Sequence, residues 1–363
     1  MSNEHKGYEM HHNPYLKKNV CVVYQYVPGN RASQVWYHQW GINVMAFLGE
    51  GFESLGMNVK YIDIETFIGS PSVALKNIDY SVNLICGNKN ISLWALVPSI
   101  SYWYNVIPMP NRTEAMIAGE RKDTANLIAT KVGFSCPEWA TDIGDLDQSI
   151  RTIVKKPRDY GSSSGLEIGE IRDFKDHKKN DIEYIYQEFV EGIDVTIPIL
   201  YSDIHKTYLC GHGVAFIPDA DAAWVLDSGA KSINRVGIVP ESITKVYYTV
   251  PKEIVNKINK LMIFLGNSSV GRIDFRVRLK PSSTIYDATL DEYNFIEINP
   301  TPTMNAKSDF VGGIESALAD SESEIYSYAV ETTAETGVDM SRPCSIVAYT
   351  MLKYAEITSN GNE

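Results

Sequence analysis

The sequence has no apolar run near the roughly 18 residues that a membrane-spanning helix needs. Its most apolar stretch, residues 91–110, is interrupted by Pro98, Pro108 and several polar side chains. The opening MSNEHKGYEMHH lacks the apolar core and cleavage site of a signal peptide, so a soluble, cytoplasmic protein with no membrane partner is expected. Positive charge is in deficit: the net charge is −12, which argues against nucleic acid as a partner, because non-specific binding rests on phosphate neutralisation. Cysteine is sparse. The five (Cys21, Cys86, Cys136, Cys210, Cys344) are odd in number and show no CxxC spacing, so buried free thiols are expected rather than a zinc site or a disulfide framework. There is no internal repeat, no GxGxxG and no Walker GK[ST].

What is present reads as globular. Hydrophobic residues make up 44% and charged residues 21%, and 363 residues suit two or three compact units better than one core. Residues 20–27 (VCVVYQYV) read as a buried strand, and residues 33–55 carry Trp36, Trp40, Val44, Phe47, Leu48, Phe52 and Leu55 at helical spacing, with Gly56 as a stop. Strands at 59–64 and 82–86 follow. Strand–helix–strand order predicts a parallel sheet with crossover helices over residues 1–115. Beyond it, a helical stretch is expected at 111–132 and strands at 152–156, 183–189, 195–201 and 207–216. An amphipathic helix at 252–265, strands at 271–279 and 294–298, and helices near 312–332 and 342–357 complete the reading. Residues 216–236 read as a long functional loop.

Three segments carry chemistry. In IVKKPRDYGSSSGL (153–166) a strand delivers Lys156, Pro157 ends it, and Gly161, Ser162, Ser163, Ser164 and Gly165 form a small loop. Such a loop lets backbone N–H groups approach phosphate oxygens, with lysine adding a point charge; taken alone it is more often a solvated turn. In GRIDFRV (271–277), Arg272 and Asp274 are two apart and share a strand face; in FIEINPTPTMNAKS (295–308), so do Glu297 and Asn299. Ile273, Phe275, Ile296 and Ile298 are expected on the opposite, apolar faces. Oxygen ligands converging from adjacent strands suit Mg²⁺, and an arginine beside them suits a phosphoryl group. Read singly, each strand is also simply amphipathic.

The succession is more specific than its parts. A lysine at a helix start (ERKDTANLIATKVGFSCPEW) comes first, then the Lys-Pro/Gly-Ser loop and EFVEG, then GRIDF and FIEINP. Over residues 115–310 this order resembles the ATP-grasp superfamily and, within it, the D-alanine–D-alanine ligases. The resemblance implies an α/β fold: an N-terminal α/β substrate domain (1–115), a central ATP-grasp subdomain (116–190) and a C-terminal subdomain with the Mg²⁺ site (191–363). ATP would be clasped between the second and third. It implies that Lys122 and Lys156 are nucleotide-binding lysines and that Gly161–Gly165 closes over the phosphates. Gln187 and Val190 would meet adenine and Asp194 the ribose. Arg272 would steady the phosphoryl group. Asp274, Glu297 and Asn299 would hold Mg²⁺, two ions in this family, with Mn²⁺ as a substitute. Thr303 stands where the family offers a backbone N–H to an oxyanion, and Ser308 where it has a serine near the second substrate's carboxylate. The implied activity is a two-step ligation through an acyl phosphate, with an amino-acid donor and a small amine acceptor as partners, and a homodimer.

Departures cluster in the amino-acid pockets. The family's glutamate-valine-serine element has no counterpart in YVPGNRASQVWYHQWG (26–41), Thr303 replaces a glycine, and only Lys231 stands in for the tyrosine-lysine pattern of the 216–236 loop. The expectation is therefore a carboxylate–amine ligase of specialised metabolism whose donor or acceptor is not D-alanine. A D-alanine–D-alanine ligase of cell-wall synthesis, amino-acid loading onto a carrier protein and a non-catalytic ATP binder are the alternatives. Trp36, Tyr37, Trp40, Trp94, Tyr102, Trp103 and Tyr104 are expected mainly in the core, a minority lining a wide acceptor pocket.

Overall fold

The computed structural model describes residues 13–25, 42–85, 91–159, 165–174, 183–218, 243–266 and 268–360. The first unit is a parallel sheet. Strand β1 (Asn19–Tyr24) is fully buried at Val20, Cys21, Val22 and Val23, as a central parallel strand must be. Helix α1 (Ile42–Ser54) buries Val44, Phe47, Leu48 and Phe52. Then come β2 (Asn58–Asp63), α2 (Ile64–Gly69), α3 (Pro71–Ala74), β3 (Tyr80–Leu84), α4 (Leu96–Trp103) and β4 (Ile107–Met109). The strand order is β2-β1-β3-β4, every neighbour parallel. Residues 26–41, including the predicted start of the first helix, lie outside the described residues.

The helical stretch expected at 111–132 is two helices, α5 (Thr113–Glu120) and α6 (Lys122–Lys131). The break at Arg121 has an electrostatic cause. Its guanidinium reaches Asp123 at 2.9 Å and Asp159 at 3.0 Å, Asp123 also accepts from Arg158, and the Lys122 N–H donates to the Arg158 carbonyl at 3.0 Å. Burial opposes ionisation of Asp123, but Arg121 and Arg158 outweigh it and hold its carboxyl at about 2. The start of α6 is thereby fastened to the residues that follow Pro157.

Two antiparallel sheets follow. The smaller comprises β5 (Trp139–Ala140), β6 (Thr152–Pro157), β7 (Glu167–Glu170) and β8 (Tyr184–Glu188), in the order β5-β8-β6-β7. The larger contains β9 (Ile193–Ser202), β10 (Thr207–Cys210), β11 (Gly213–Pro218), β12 (Ile243–Tyr248), β13 (Val270–Val277) and β14 (Tyr293–Asn299). Helix α7 (Lys252–Phe264) turns Ile254, Ile258, Leu261 and Met262 into its core. The strand expected at 207–216 is split: β10 pairs with residues 199–202 of β9 and β11 with residues 194–196. Pro198 lies in the gap, where the ladder lacks an N–H, and the partner chain bulges there through Gly211 and His212.

The helix expected near 312–332 is also two, α8 (Asp309–Leu318) and α9 (Glu324–Thr336). Ser323 caps the second by accepting from the Ile325 N–H at 3.2 Å. The last helix, α10 (Pro343–Asn360), is buried on all sides over residues 344–352 and packs against α1, β4, β9 and β13. A Cβ on Gly51 of α1 would collide with the Cys344 carbonyl of α10, so the glycine permits that close approach. The first sheet and the C-terminal helices thus share one core, joining Val22 and Phe52 to Ile346, Tyr349 and Leu352. No described helix is long and apolar enough to cross a membrane.

Candidate active site

The two antiparallel sheets face one another across a cleft of about 120 Å³. Its floor is β9, β13 and β14. Alternation puts Arg272, Asp274 and Arg276 of β13 opposite Pro198, Thr196 and Asp194 of β9. On the other side Asp274 pairs in register with Glu297, and Arg272 with Asn299. A bulge then intervenes: Phe275 opposes Phe295, leaving Ile296 as the extra residue. Both Ile296 and Glu297 therefore line the cleft, while Phe295 and Ile298 enter the core. This corrects the expectation that Ile296 would face the apolar side; simple period-two reading fails at a bulge.

Asp274 is the hub. It accepts from Arg272 Nε at 2.9 Å and Nη2 at 2.6 Å, from Thr196 Oγ1 at 2.7 Å and from Asn299 Nδ2 at 3.1 Å. Burial works against the Arg272 charge, but the Asp274 carboxylate raises it above its ordinary range, so it stays cationic. Glu297 lies 3.7 Å from Lys122 Nζ. From the opposite wall, Lys156 projects from β6 with 5% exposure. Burial, aided by the Lys122 charge and opposed by Glu297, brings it down to about 8. Its neighbour Lys155 points away, to Glu167 at 3.1 Å and over the Tyr184 ring.

At the other end of the cleft the β8–β9 hinge supplies Gln187, 2% exposed, then Phe189 and Val190. Asp194 follows, paired with Arg276 at 3.0 Å. Glu188 turns its carboxylate toward the Glu138 N–H, 3.4 Å away. Gly165 has φ +72, a conformation open to glycine; Gly161, Ser162, Ser163 and Ser164 lie outside the described residues, as do Trp36, Tyr37, Trp40 and Lys231.

Lys122, Lys156, Gln187, Val190, Asp194, Arg272, Asp274 and Glu297 thus line a single cleft, and Asn299 touches it through Asp274. Thr303 and Ser308 do not line it. Ser308 caps α8, donating to the Asn305 carbonyl at 2.8 Å and accepting from the Val311 N–H at 3.3 Å. The next residue, Asp309, lines the cleft instead, held by Lys245 at 2.6 Å. The aromatics divide: Trp94 is core, whereas Tyr102, Trp103 and Tyr104 are exposed at the end of α4, away from the cleft, where the chain turns through Asn105 at φ 57.

Four residues escape a reading of the sequence: Thr196, Arg276, Asp309 and Glu120. The first two stand two positions from assigned residues on the same strands, so alternation is the signal that could find them. Glu120 ends α5. Burial, with Glu297 adding and Lys122 and Arg272 opposing, pushes its carboxyl up to about 7.

The donor set fits Mg²⁺. Among the described residues no group of three or more His, Cys, Asp or Glu forms a protein cage for a metal. Two carboxylates in direct register, Asp274 and Glu297, with the Asn299 amide beside them, are hard oxygen donors of the kind completed by substrate phosphates.

In overall structure the protein is similar to the D-alanine–D-alanine ligase of Bacillus anthracis complexed with ATP, at 14% identity and a TM-score of 0.55, over 94% of this chain and 99% of that one. It is similar to D-alanyl-alanine synthetase A of Vibrio cholerae, at 13% identity and 0.57, over 88% and 98%. The VanG D-Ala:D-Ser ligase of Enterococcus faecalis matches at 13% identity and 0.57, over 92% and 99%. No protein-family model and no curated protein matches the sequence.

Proposed function

We propose, from the premise that this chain has the ATP-grasp fold of the D-alanine–D-alanine ligase structures, that it is an ATP- and Mg²⁺-dependent carboxylate–amine ligase. The observation that carries this reading is the meeting, in one cleft, of two buried lysines, an arginine–aspartate pair, a second carboxylate and an apolar hinge. These groups come from strands of two different sheets and from the start of a helix, so a common ligand explains their convergence better than local patterning.

Lys156 and Lys122 would neutralise the nucleotide phosphates, Arg272 the transferring phosphoryl group, and the hinge would receive the base. When bound beside Asp274, Glu297 and Asn299, Mg²⁺ supplies charge neutralisation of the phosphates. In the first step a donor carboxylate oxygen forms a bond to the γ-phosphorus as the bond to the ADP oxygen breaks. In the second an amine forms the C–N bond, phosphate leaves and a proton is released. The protein's part is positioning and electrostatics in a water-poor cleft.

The donor is read as an amino acid and the acceptor as a small amine other than D-alanine. The absent glutamate-valine-serine element and Thr303 support that choice. The test is phosphate release with ATP and Mg²⁺ against single amino acids and donor–amine pairs, D-alanine included. Release that depends on one specific pair is expected. Strong turnover with D-alanine alone would overturn the substrate reading, and absence of ATP binding would overturn the activity.

A further inference from the structure

We infer that Arg276 is a positioning residue that locks the base end and the ribose end of the nucleotide site together; this rests on the nucleotide reading of the cleft. Arg276 is 3% exposed. A guanidinium so far from water is retained only where its charge is paired. Of its partners, one lies within the β8–β9 turn and one just after it. Nε donates to the Val190 carbonyl at 3.0 Å, and Nη1 stands 3.0 Å from Asp194 Oδ2. Its plane also lies over Phe189, 5.5 Å from the ring centroid. Phe189, Val190, Asp194 and Arg276 all line the cleft.

The turn between these partners is pinned by backbone as well. Gly192 has φ +148, and a Cβ there would strike the carbonyl of Val277, the residue after Arg276. One rigid planar fork therefore fixes the hinge and an acidic side chain ahead of ligand binding. Lysine, a single point charge on a flexible stem, cannot serve both partners. Preorganisation of this kind saves ordering cost on binding. Its effect should fall on nucleotide affinity and not on the bond-making step, because its partners are the hinge carbonyl of Val190 and the Asp194 carboxylate, not Lys156 or the Arg272–Asp274 pair.

The experiment uses the full chain as wild type, R276K, R276M and D194N. ATP and 2′-deoxy-ATP, each with Mg²⁺, are titrated by calorimetry, and phosphate release gives KM and kcat. R276K and R276M should weaken ATP by about tenfold or more, equal to about 1.4 kcal/mol, with kcat at saturating ATP within about twofold. The preference for ATP over 2′-deoxy-ATP should shrink in both, and D194N should lose the same preference. R276K carries the test if R276M fails to fold. R276K with wild-type KM and wild-type sugar preference overturns the inference, as does a fall in kcat at unchanged KM. A wild type that does not bind ATP defeats the nucleotide reading and this inference together; a wild type that binds ATP no better than R276K defeats the arginine alone.

Discussion

Among the described residues, the small sheet closes its apolar side with Ala140, Leu146, Ile153, Phe174 and Tyr186. The large sheet stacks Phe275, Tyr293 and Phe295 with Phe134, and adds the apolar faces of α6 and α7. The thin wall carries Lys156 and leads into the hinge; the thick wall carries Arg272, Asp274 and Glu297. Groups that must be held against each other despite their charge stand on the rigid platform. On the proposed reading the thin wall is the one that admits and releases the nucleotide; it rests on a small core, and local opening is cheapest where few apolar contacts hold an element.

The sharpest way to break this contrast is to remove chemistry from the thick wall without removing its packing. Asp274→Asn should cut turnover by about 100-fold or more, and it should also lower Tm because the buried Arg272 loses its carboxylate partner, read by phosphate release and thermal melting. Packing deletions come next. Phe275→Ala should cost about 3–5 kcal/mol of global stability, seen as a single lowered melting transition. Ile153→Ala, on the thin wall, should instead appear first as lost hydrogen-exchange protection in β6 and β8 and as a raised KM for ATP. Equal loss of protection across both sheets would erase the distinction.

Titration separates the walls more gently. Lys156 carries its charge below about 8 and loses it as pH rises through that value. KM for ATP should therefore climb above pH 8 in the wild type, whereas Lys156→Arg, which stays charged, should show a flat profile. The smallest effect belongs to Glu120. Its folded carboxyl titrates at about 7, up from 4.5, so the unfolded state gives up its proton first and stability drains as pH rises across that window. Glu120→Gln should gain about 2–4 °C in Tm over wild type between the low and high ends of that window, and no further gain beyond it.

How much of this is legible in the chain depends on the range of the forces. Period-two alternation is local, and the sequence by itself puts Arg272 with Asp274. It fails at Ile296 because a bulge is set by pairing with β13, not by the residues of β14 alone. The helix break at Arg121 is invisible for a similar reason: the carboxylate that draws Arg121 out, Asp159, arrives from another strand end. The split opposite Pro198 is readable in principle, since a proline in a central strand always leaves one ladder position empty. The cap at Ser323 is equally local and legible. The use of Ser308 as a cap instead of a cleft residue depends on where α8 begins, which the motif alone does not state.

The shared core of the first sheet and α10 also bears on how this chain can be made. Tyr15 donates to Glu356 at 3.2 Å across 341 residues of sequence, and Tyr80 donates to the same carboxylate at 2.8 Å. Strands synthesised early must wait for a helix synthesised late. At about 5–20 residues per second, that is a delay of tens of seconds in which Val22 and Phe52 lack their final cover. A chain cut before α10 should therefore keep the apolar face of the N-terminal sheet uncovered, read as apolar-dye binding that the full chain does not show.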